Sequence, residues 1–268
     1  MKSSLDLSRL ARAAAGAAAD HLRRIERPRD PAAWRSKGHH DFVTECDRAS
    51  EEIIAESLLR AVPGSTVLGE ELSPERNGSG LVWIVDPIDG TTNFVHGFPV
   101  WAVSIAAELD GVLEAGVVHH VEPGHVYHAT RGHGAWRDDQ RLAVSTVTDP
   151  GHALIGTGFP FKHLEQLPLY QAQFARVAAG VAGVRRAGSA SLDLCWVASG
   201  AFDGFWEISL ADWDIAAGLV LVREAGGVVT DLEGVEIGAR DGAVLAGNPA
   251  IHRWLHGELA AAGRGADA

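Results

Sequence analysis

The acidic segment from Asp86 to Thr92 (DPIDGTT) has the residue types and the spacing best suited to chemistry in this 268-residue chain. An apolar stretch, Leu81 to Val85, precedes it and predicts a strand. Ligand sites in α/β proteins lie at the carboxyl ends of strands, where this segment begins. Because Pro87 stiffens the turn, Asp86 and Asp89 can face a common point.

The second half of the acidic segment is suited to binding an anion. Gly90 lets backbone approach a ligand closely, and Thr91 with Thr92 would begin a helix whose free N–H groups favour a phosphate oxygen. Two carboxylates beside a phosphate repel it unless a hard cation lies between them, and Mg²⁺ binds both kinds of oxygen. Asp, Gly and Thr are also ordinary turn residues. The segment alone therefore leaves two interpretations open: a magnesium and phosphate site, or an Asp-rich turn with a helix cap.

Acidic residues at three other junctions between elements favour the metal site. Asp41 and Asp47 flank a short strand-like run before a helix, Glu70-Glu71 follows a strand, and Asp214 lies at the start of a helix, where it can cap the N-terminus. Each has an ordinary structural explanation when taken singly. Together with the acidic segment they place carboxylates at four ends of predicted buried elements, which predicts a shared cation site.

The elements that must position these acids follow from hydrophobic spacing. Helical periodicity extends from Leu5 to Ile25 and from Asp47 to Arg60, and a short strand, Val67 to Gly69, leads into Glu70. From Val103 onward, short strands alternate with glycine-containing turns, and the last of them is predicted at Arg141 to Val144. We predict an α+β lobe over residues 1–148 that carries most of the metal ligands.

The remainder of the chain has a different pattern. After Pro150-Gly151, strands and helices alternate, with helices predicted from about Leu164 to Ala182, from Ser189, and from Asp214 to Glu224. We therefore predict an α/β lobe over residues 149–268, which carries Asp214 and contacts to the substrate. The two lobes are expected to form one compact catalytic unit.

Composition limits the classes of partner. The chain is 46% hydrophobic and has a formal net charge of -12, which argues against nucleic acid or an anionic membrane as the main partner. It has 2 cysteines, far apart, which argues against a structural zinc site or a disulfide-stapled domain. The N-terminal Ala-rich stretch is interrupted by charges, so neither a signal peptide nor a membrane span is predicted. We expect a cytoplasmic protein.

Four stretches of the sequence resemble the inositol monophosphatase family, part of a wider lithium-sensitive phosphatase superfamily. They are DFVTECD at Asp41 to Asp47, GEE at Gly69 to Glu71, WIVDPIDGTTNFVHGFP at Trp83 to Pro99, and WDIAAGLVLVREAGG at Trp213 to Gly227. The resemblance runs from the first helix to near the C-terminus. It implies a layered αβαβα sandwich, two to three Mg²⁺ ions per site and, commonly, a homodimer.

The resemblance also implies a ligand set. Glu70, Asp86 and the backbone carbonyl of Ile88 would bind the first Mg²⁺, and Asp86, Asp89 and Asp214 would bind the second. Glu70 would also face a weaker third ion. Gly90 and Thr91 would bind phosphate through backbone N–H groups, and Thr91 with Asp47 would orient the attacking water.

Other residues match positions that contact substrate in this family. Lys37 matches a phosphate-facing lysine, and Glu207 matches an acid that binds a substrate hydroxyl. Ser189 and Ala190 match a turn that contacts the polyol, and Asp89 and Asp214 would contact substrate as well as metal.

The activity implied is Mg²⁺-dependent hydrolysis of a small polyol phosphate, with inositol 1-phosphate as the leading substrate and water, activated by the metal, as the nucleophile. Histidinol phosphate, fructose 1,6-bisphosphate and 3′-phosphoadenosine 5′-phosphate are alternatives, because relatives act on them with the same metal core. An alternative of another class is a non-catalytic protein-binding factor in transcription or ribosome biogenesis.

Several other features are interpreted as structural. The paired histidines, His119-His120 among them, are expected at the surface and not at a metal, and Arg185-Arg186 is expected to be a solvated pair. Gly156 and Gly158 lack the context of a dinucleotide site. Trp101 and Trp206 flank the matched motifs and are candidates for lining the substrate pocket.

Overall fold

The computed structural model describes residues 2–27, 35–38, 41–43, 45–72, 80–240 and 242–266. Side chains are described for the same residues except 35–43 and 264–266. Within this part of the chain, no helix combines the length and the apolar character that crossing a membrane requires.

A seven-stranded sheet, in the order β3-β4-β5-β6-β7-β8-β9, is built from residues 66–141. Its strands pair antiparallel except for the parallel pair β3–β4. They are β3 (Thr66–Gly69), β4 (Leu81–Asp89), β5 (Ala102–Leu109), β6 (Val112–His120), β7 (His125–Thr130), β8 (Gly134–Arg137) and β9 (Gln140–Arg141). A separate hairpin, β1 (Arg35–Gly38) with β2 (Asp41–Val43), precedes it.

A second sheet of five strands follows, in the order β11-β10-β12-β14-β13. It mixes parallel and antiparallel pairs. Its strands are β10 (Leu154–Thr157), β11 (Gly183–Arg185), β12 (Gly204–Leu210), β13 (Val228–Thr230) and β14 (Gly242–Gly247). The change of sheet falls between Arg141 and Leu154, and the division into two lobes stays a prediction.

Seven helices belong to the described part of the chain: α1 (Ser4–Arg24), α2 (Glu45–Ala61), α3 (Thr91–His96), α4 (Leu167–Gly180), α5 (Ala190–Ala198), α6 (Asp212–Glu224) and α7 (Pro249–Ala266). Short 3₁₀ turns at Pro150–His152 and Leu164–Gln166 accompany them. The helix α1 begins at a capping box between Ser3 and Asp6, which satisfies free N–H groups of its first turn.

Successive side chains of a strand point to opposite faces of the sheet, so each sheet packs between two layers of helices and the molecule has five layers. In β4, Trp83 and Val85 pack on α1 and α2, whereas Val82 and Ile84 face α5 and α6. The second sheet repeats this arrangement. Phe205 of β12 joins the α5–α6 layer, and Trp206 faces α4 and α7. The order α1α2, sheet, α5α6, sheet, α4α7 confirms the predicted αβαβα sandwich, which places the buried pair α5–α6 between two apolar sheet faces.

Two local predictions were wrong in detail. The strand β4 does not end at Asp86 but continues to Asp89. Its pairing with β5 shifts between these two residues, because Pro87 has no N–H to donate and the strand bulges there. The strand predicted at Arg141 to Val144 lies earlier: β8 and β9 form a hairpin whose turn holds Asp138 at φ 54°.

Candidate metal centre

The end of β4 and the amino ends of α3, α5 and α6 meet around a cavity of about 390 Å³. The loop from Gly158 to His163 forms its opposite wall. Acidic side chains line one end: Glu70, Asp86, Asp89 and Asp214. The chain therefore brings carboxylates from three separate segments to one cavity, as the sequence predicted.

Three of these aspartates form a compact oxygen cluster. Asp86, Asp89 and Asp214 each offer one carboxylate oxygen, and these oxygens all lie within 4.8 Å of one another. Asp86 is 2% exposed and Asp89 is 6% exposed. Burial, followed by the charges of Glu70, Asp89 and Asp214, raises the pKa of Asp86 well above its usual range. Such crowding is costly unless a cation offsets it.

The bulge in β4 aims Asp86 and Asp89 at the cavity. The Oδ1 of Asp86 accepts a hydrogen bond from the Ile88 N–H at 3.0 Å, which closes a tight turn over Pro87. Gly90 then adopts φ 93°, in the left-handed region that favours glycine. A Cβ at this position would lie 3.0 Å from the Val100 oxygen and 3.1 Å from the Gly188 oxygen. The turn into α3 therefore requires glycine.

The start of α5 holds Asp89 in place. Its Oδ2 accepts hydrogen bonds from Ser189 Oγ at 2.6 Å, from Ser191 N–H at 2.8 Å and from Ser191 Oγ at 2.5 Å. Burial raises the pKa of Asp89, and these hydrogen bonds oppose that rise. One oxygen is thus fixed by the helix terminus, which favours negative charge, and the other stays available to a ligand.

Asp214 reaches the cluster from the first turn of α6. It was predicted as a possible N-cap, but it occupies the third position of the helix, and its Oδ2 accepts a hydrogen bond from the Ala211 N–H at 2.7 Å. This bond fixes one oxygen of the carboxylate.

Asp47 and Thr91 meet beside the cluster. Asp47, on α2, is fully buried, and its Oδ1 accepts a hydrogen bond from Thr91 Oγ1 at 3.1 Å. The same hydroxyl lies 3.0 Å from the Ile88 carbonyl oxygen. The pair was predicted to act together, and the structure brings it together at the edge of the metal cluster.

Glu207, on β12, lines the same cavity as the metal cluster. Its carboxylate packs directly over Gly158, where an added Cβ would lie 1.9 Å from Cδ and from Oε1. Burial, followed by the charge of Asp214, raises the pKa of Glu207 to about 8, and Arg186 opposes that rise. Ser189 and Ala190 also line the cavity, and their contact with a polyol stays a prediction.

The donor set fits a hard divalent cation. The cluster offers only oxygen atoms, and Mg²⁺ binds carboxylate and carbonyl oxygens in preference to softer ligands. Burial and the neighbouring carboxylates raise the pKa of Asp86, and a bound cation would offset both effects. Asp86, Asp89 and Asp214, with Glu70 at the rim, are therefore suited to hold Mg²⁺.

Some expectations were wrong, and one lies outside the described side chains. Trp101 and Trp206 are fully buried in the core and do not line the cavity. Arg185 and Arg186 are both exposed, as predicted for a solvated pair, and Arg186 also lines the cavity, with its guanidinium 5.3 Å from the centre of the Phe159 ring. His119, expected at the surface, is buried. Lys37 belongs to β1, and its side chain is outside the described part of the chain.

Sequence reasoning missed two acids. Asp193 is buried on α5, and burial together with the charge of Glu207 raises its pKa well above the usual range. An acid inside the otherwise apolar run from Leu192 to Val197 was an available signal. Glu51, on α2, is also buried, and its position four residues after Asp47 was the corresponding signal.

Comparisons with known proteins agree with this geometry. A family model described as "Inositol monophosphatase family" matches residues 6–264. The chain is 46% identical over 220 residues to an inositol-1-monophosphatase of Mesorhizobium japonicum, covering 82% of this chain and 83% of that protein. It is 43% identical over 210 residues to the Nus factor SuhB of Pseudomonas aeruginosa, covering 76% and 77%. The solved extragenic suppressor protein suhB of Bartonella henselae matches with a TM-score of 0.85 and 40% identity, covering 94% of this chain and 97% of that one.

Proposed function

This chain belongs to the inositol monophosphatase family, and from that premise we propose that it hydrolyses a small polyol phosphate monoester, with inositol 1-phosphate as the leading substrate. The observation that carries the proposal is the oxygen cluster of Asp86, Asp89 and Asp214, at the start of a helix. A cation site beside free helix N–H groups suits a phosphate group.

The residues around the cluster can be assigned separate roles in the reaction. Mg²⁺, when bound, supplies positive charge against the phosphoryl oxygens and lowers the pKa of water. The first turn of α3, from Gly90, presents backbone N–H groups to the phosphate. Thr91 donates its hydroxyl hydrogen towards Asp47 at 3.1 Å, so its oxygen can accept a hydrogen bond from the attacking water.

The reaction is then a displacement at phosphorus. The water oxygen forms a bond to phosphorus while the bond from phosphorus to the alcohol oxygen breaks. The water gives up one proton and the alcohol oxygen takes up one as it leaves, so that water and the phosphate monoester give the alcohol and inorganic phosphate. Glu207, which lines the same cavity, would bind a hydroxyl of the departing polyol. No side chain becomes phosphorylated.

A substrate panel tests the proposal. Phosphate release is measured with inositol 1-phosphate, histidinol phosphate, fructose 1,6-bisphosphate and 3′-phosphoadenosine 5′-phosphate, each with Mg²⁺ and with Mg²⁺ plus Li⁺. We expect the highest kcat/KM with inositol 1-phosphate. Absence of turnover with every substrate would overturn the enzymatic proposal, and a preference for another substrate would overturn the polyol assignment.

A second candidate function is a protein-binding role in transcription, favoured by the name of the relative called Nus factor SuhB. Binding of the purified chain to purified transcription complexes tests it. Under this candidate, binding persists in Asp86→Asn, because it does not need the metal site. Loss of binding in that variant, or no binding by the wild type, would count against it.

A further inference from the structure

One face of α2 carries three buried polar residues within a single helical turn: Asp47, Ser50 and Glu51, each at most 1% exposed. Buried polar groups are costly unless they are hydrogen-bonded. Each of these residues bonds to a different segment of the metal centre. Asp47 accepts from Thr91, and Ser50 Oγ donates to the Pro87 carbonyl at 3.2 Å. The face therefore links α2 to the start of α3 and to the acidic turn.

Glu51 links α2 to the segment that follows β3. Its Oε2 accepts a hydrogen bond from the Glu71 N–H at 2.7 Å, and its Oε1 accepts one from the Leu72 N–H at 3.0 Å. Both oxygens thus bind consecutive backbone N–H groups, an arrangement that suits an ionised carboxylate. The backbone of residues 69–72 wraps around this one side chain.

Gly69 makes the close approach possible. A Cβ at this position would lie 2.1 Å from Glu51 Oε1 and 2.5 Å from its Cδ. No real side chain could occupy that space while the carboxylate stays in place. The glycine before Glu70 and the two N–H groups after it therefore enclose the Glu51 carboxylate.

Glu70 lies between these contacts. On one side, its N–H donates to the Val85 carbonyl at 3.3 Å, which extends the pairing of β3 with β4. On the other side, the next two N–H groups are held by Glu51. Its side chain lines the cavity. Burial is the main cause of the raised pKa of Asp86, and among the neighbouring charges Glu70 contributes most to that rise. Small movements of residues 69–72 would therefore change the metal centre directly.

We propose that Glu51 is a positioning residue that sets Glu70 for binding of Mg²⁺, without touching the ion or the substrate. This role rests on the proposed function only in that Mg²⁺ is the cation held at the cluster. An amide cannot replace the carboxylate, because Gln has a single acceptor oxygen and would turn its NH₂ group towards a backbone N–H. Groups that orient a metal ligand affect metal affinity about 10- to 100-fold.

The test compares Glu51→Gln with Glu52→Gln, which makes the same chemical change at the exposed next residue of α2. Calorimetry with MgCl₂ on the metal-free protein gives the Mg²⁺ affinity, and the rise in Tm on adding Mg²⁺ gives a second readout. We expect about a tenfold or greater loss of Mg²⁺ affinity in Glu51→Gln and wild-type affinity in Glu52→Gln. The kcat at saturating Mg²⁺ should stay close to that of the wild type.

Gly69→Ala disturbs the same contact, because it adds a Cβ against the Glu51 carboxylate. It becomes the deciding variant if Glu51→Gln does not fold. It should weaken Mg²⁺ binding to a similar degree. A change of less than twofold in Mg²⁺ affinity in whichever of these variants folds would overturn the proposal, as would an equal loss in Glu52→Gln. A wild-type protein that binds Mg²⁺ but releases no phosphate would overturn the proposed function and leave the role of Glu51 standing.

Discussion

Gly158→Ala should separate recognition of the polyol from the phosphate chemistry. The new Cβ would lie 1.9 Å from the Glu207 Cδ and Oε1, about 1.5 Å inside the 3.4 Å at which ordinary contact begins. The atoms displaced belong to the free end of a flexible side chain, so the fold should tolerate the change. Glu207 should turn away from its position in the cavity, whereas the metal cluster stays in place.

The expected loss follows from the contact that Glu207 would make. A hydrogen bond between a carboxylate and a substrate hydroxyl contributes about 1.5–3 kcal/mol, and about 1.4 kcal/mol corresponds to tenfold. We therefore expect kcat/KM for inositol 1-phosphate to fall roughly 10- to 150-fold. Phenyl phosphate has no hydroxyl on its leaving group and should be hydrolysed at close to the wild-type rate.

The assay is steady-state phosphate release with both substrates. Gly257→Ala, on α7, is the matched control, because its Cβ meets nothing within 4 Å. An equal fall for both substrates would mean that the substitution damages the centre as a whole. Unchanged kcat/KM for inositol 1-phosphate would refute the reasoning that Glu207 binds the polyol.

Further predictions concern the proton-carrying groups. Thr91→Val keeps the shape but removes the hydroxyl that meets Asp47, so kcat should fall at least about 100-fold with little change in Mg²⁺ affinity by calorimetry. Burial and the charge of Glu70 raise the pKa of Asp86, so a proton competes with Mg²⁺ for this carboxylate, and the Mg²⁺ affinity measured by calorimetry should rise with pH. Burial raises the pKa of Glu207 to about 8 in the folded metal-free protein, against 4.5 for an ordinary glutamate. The folded state therefore binds this proton more tightly, and the free energy of unfolding should fall as pH rises from about 4.5 to 8. Urea denaturation at several pH values should show a flatter profile in Glu207→Gln.

Apolar periodicity predicted most of the helices and strands, whereas the layered sandwich was implied by the resemblance to the family. The continuous apolar stretch from Leu81 to Val85 predicted the strand β4, and the structure buries both of its faces, as expected for a sheet covered by helices on both sides. Its end was misplaced because proline usually stops a strand. Here Pro87 sits in a bulge, where the missing N–H costs nothing, and only the pairing with β5 reveals this.

The acids of the centre were predictable as a group, because each lies at the end of a recognisable element and together they resemble one family. Their roles stay predictions. Glu51 and Gly158 were not recognised, because their importance depends on contacts between segments distant in sequence. Glu51 meets a backbone twenty residues away, and Gly158 packs directly against the carboxylate of Glu207. A single sequence records the residue types but not these contacts.

Asp193 is a further residue whose connection with the cavity cannot be read from the sequence. Its Oδ1 has no hydrogen-bond partner among the described residues, although it is buried. Hydrophobic periodicity alone predicts that α5 is an apolar helix, and it assigns no role to a single acid within that helix. Only its placement behind Asp89 and Glu207 connects it with the cavity.

We propose that the cluster of Asp86, Asp89 and Asp214 holds the Mg²⁺ that phosphate release requires. Release of phosphate from inositol 1-phosphate, titrated with Mg²⁺ after treatment with EDTA, tests it most directly in the wild type and in Asp86→Asn. We predict no release without Mg²⁺, saturable recovery in the wild type, and no recovery in Asp86→Asn, whose Tm without metal should not fall below that of the wild type. Release that is independent of Mg²⁺, or near-normal turnover by a folded Asp86→Asn, would contradict the claim.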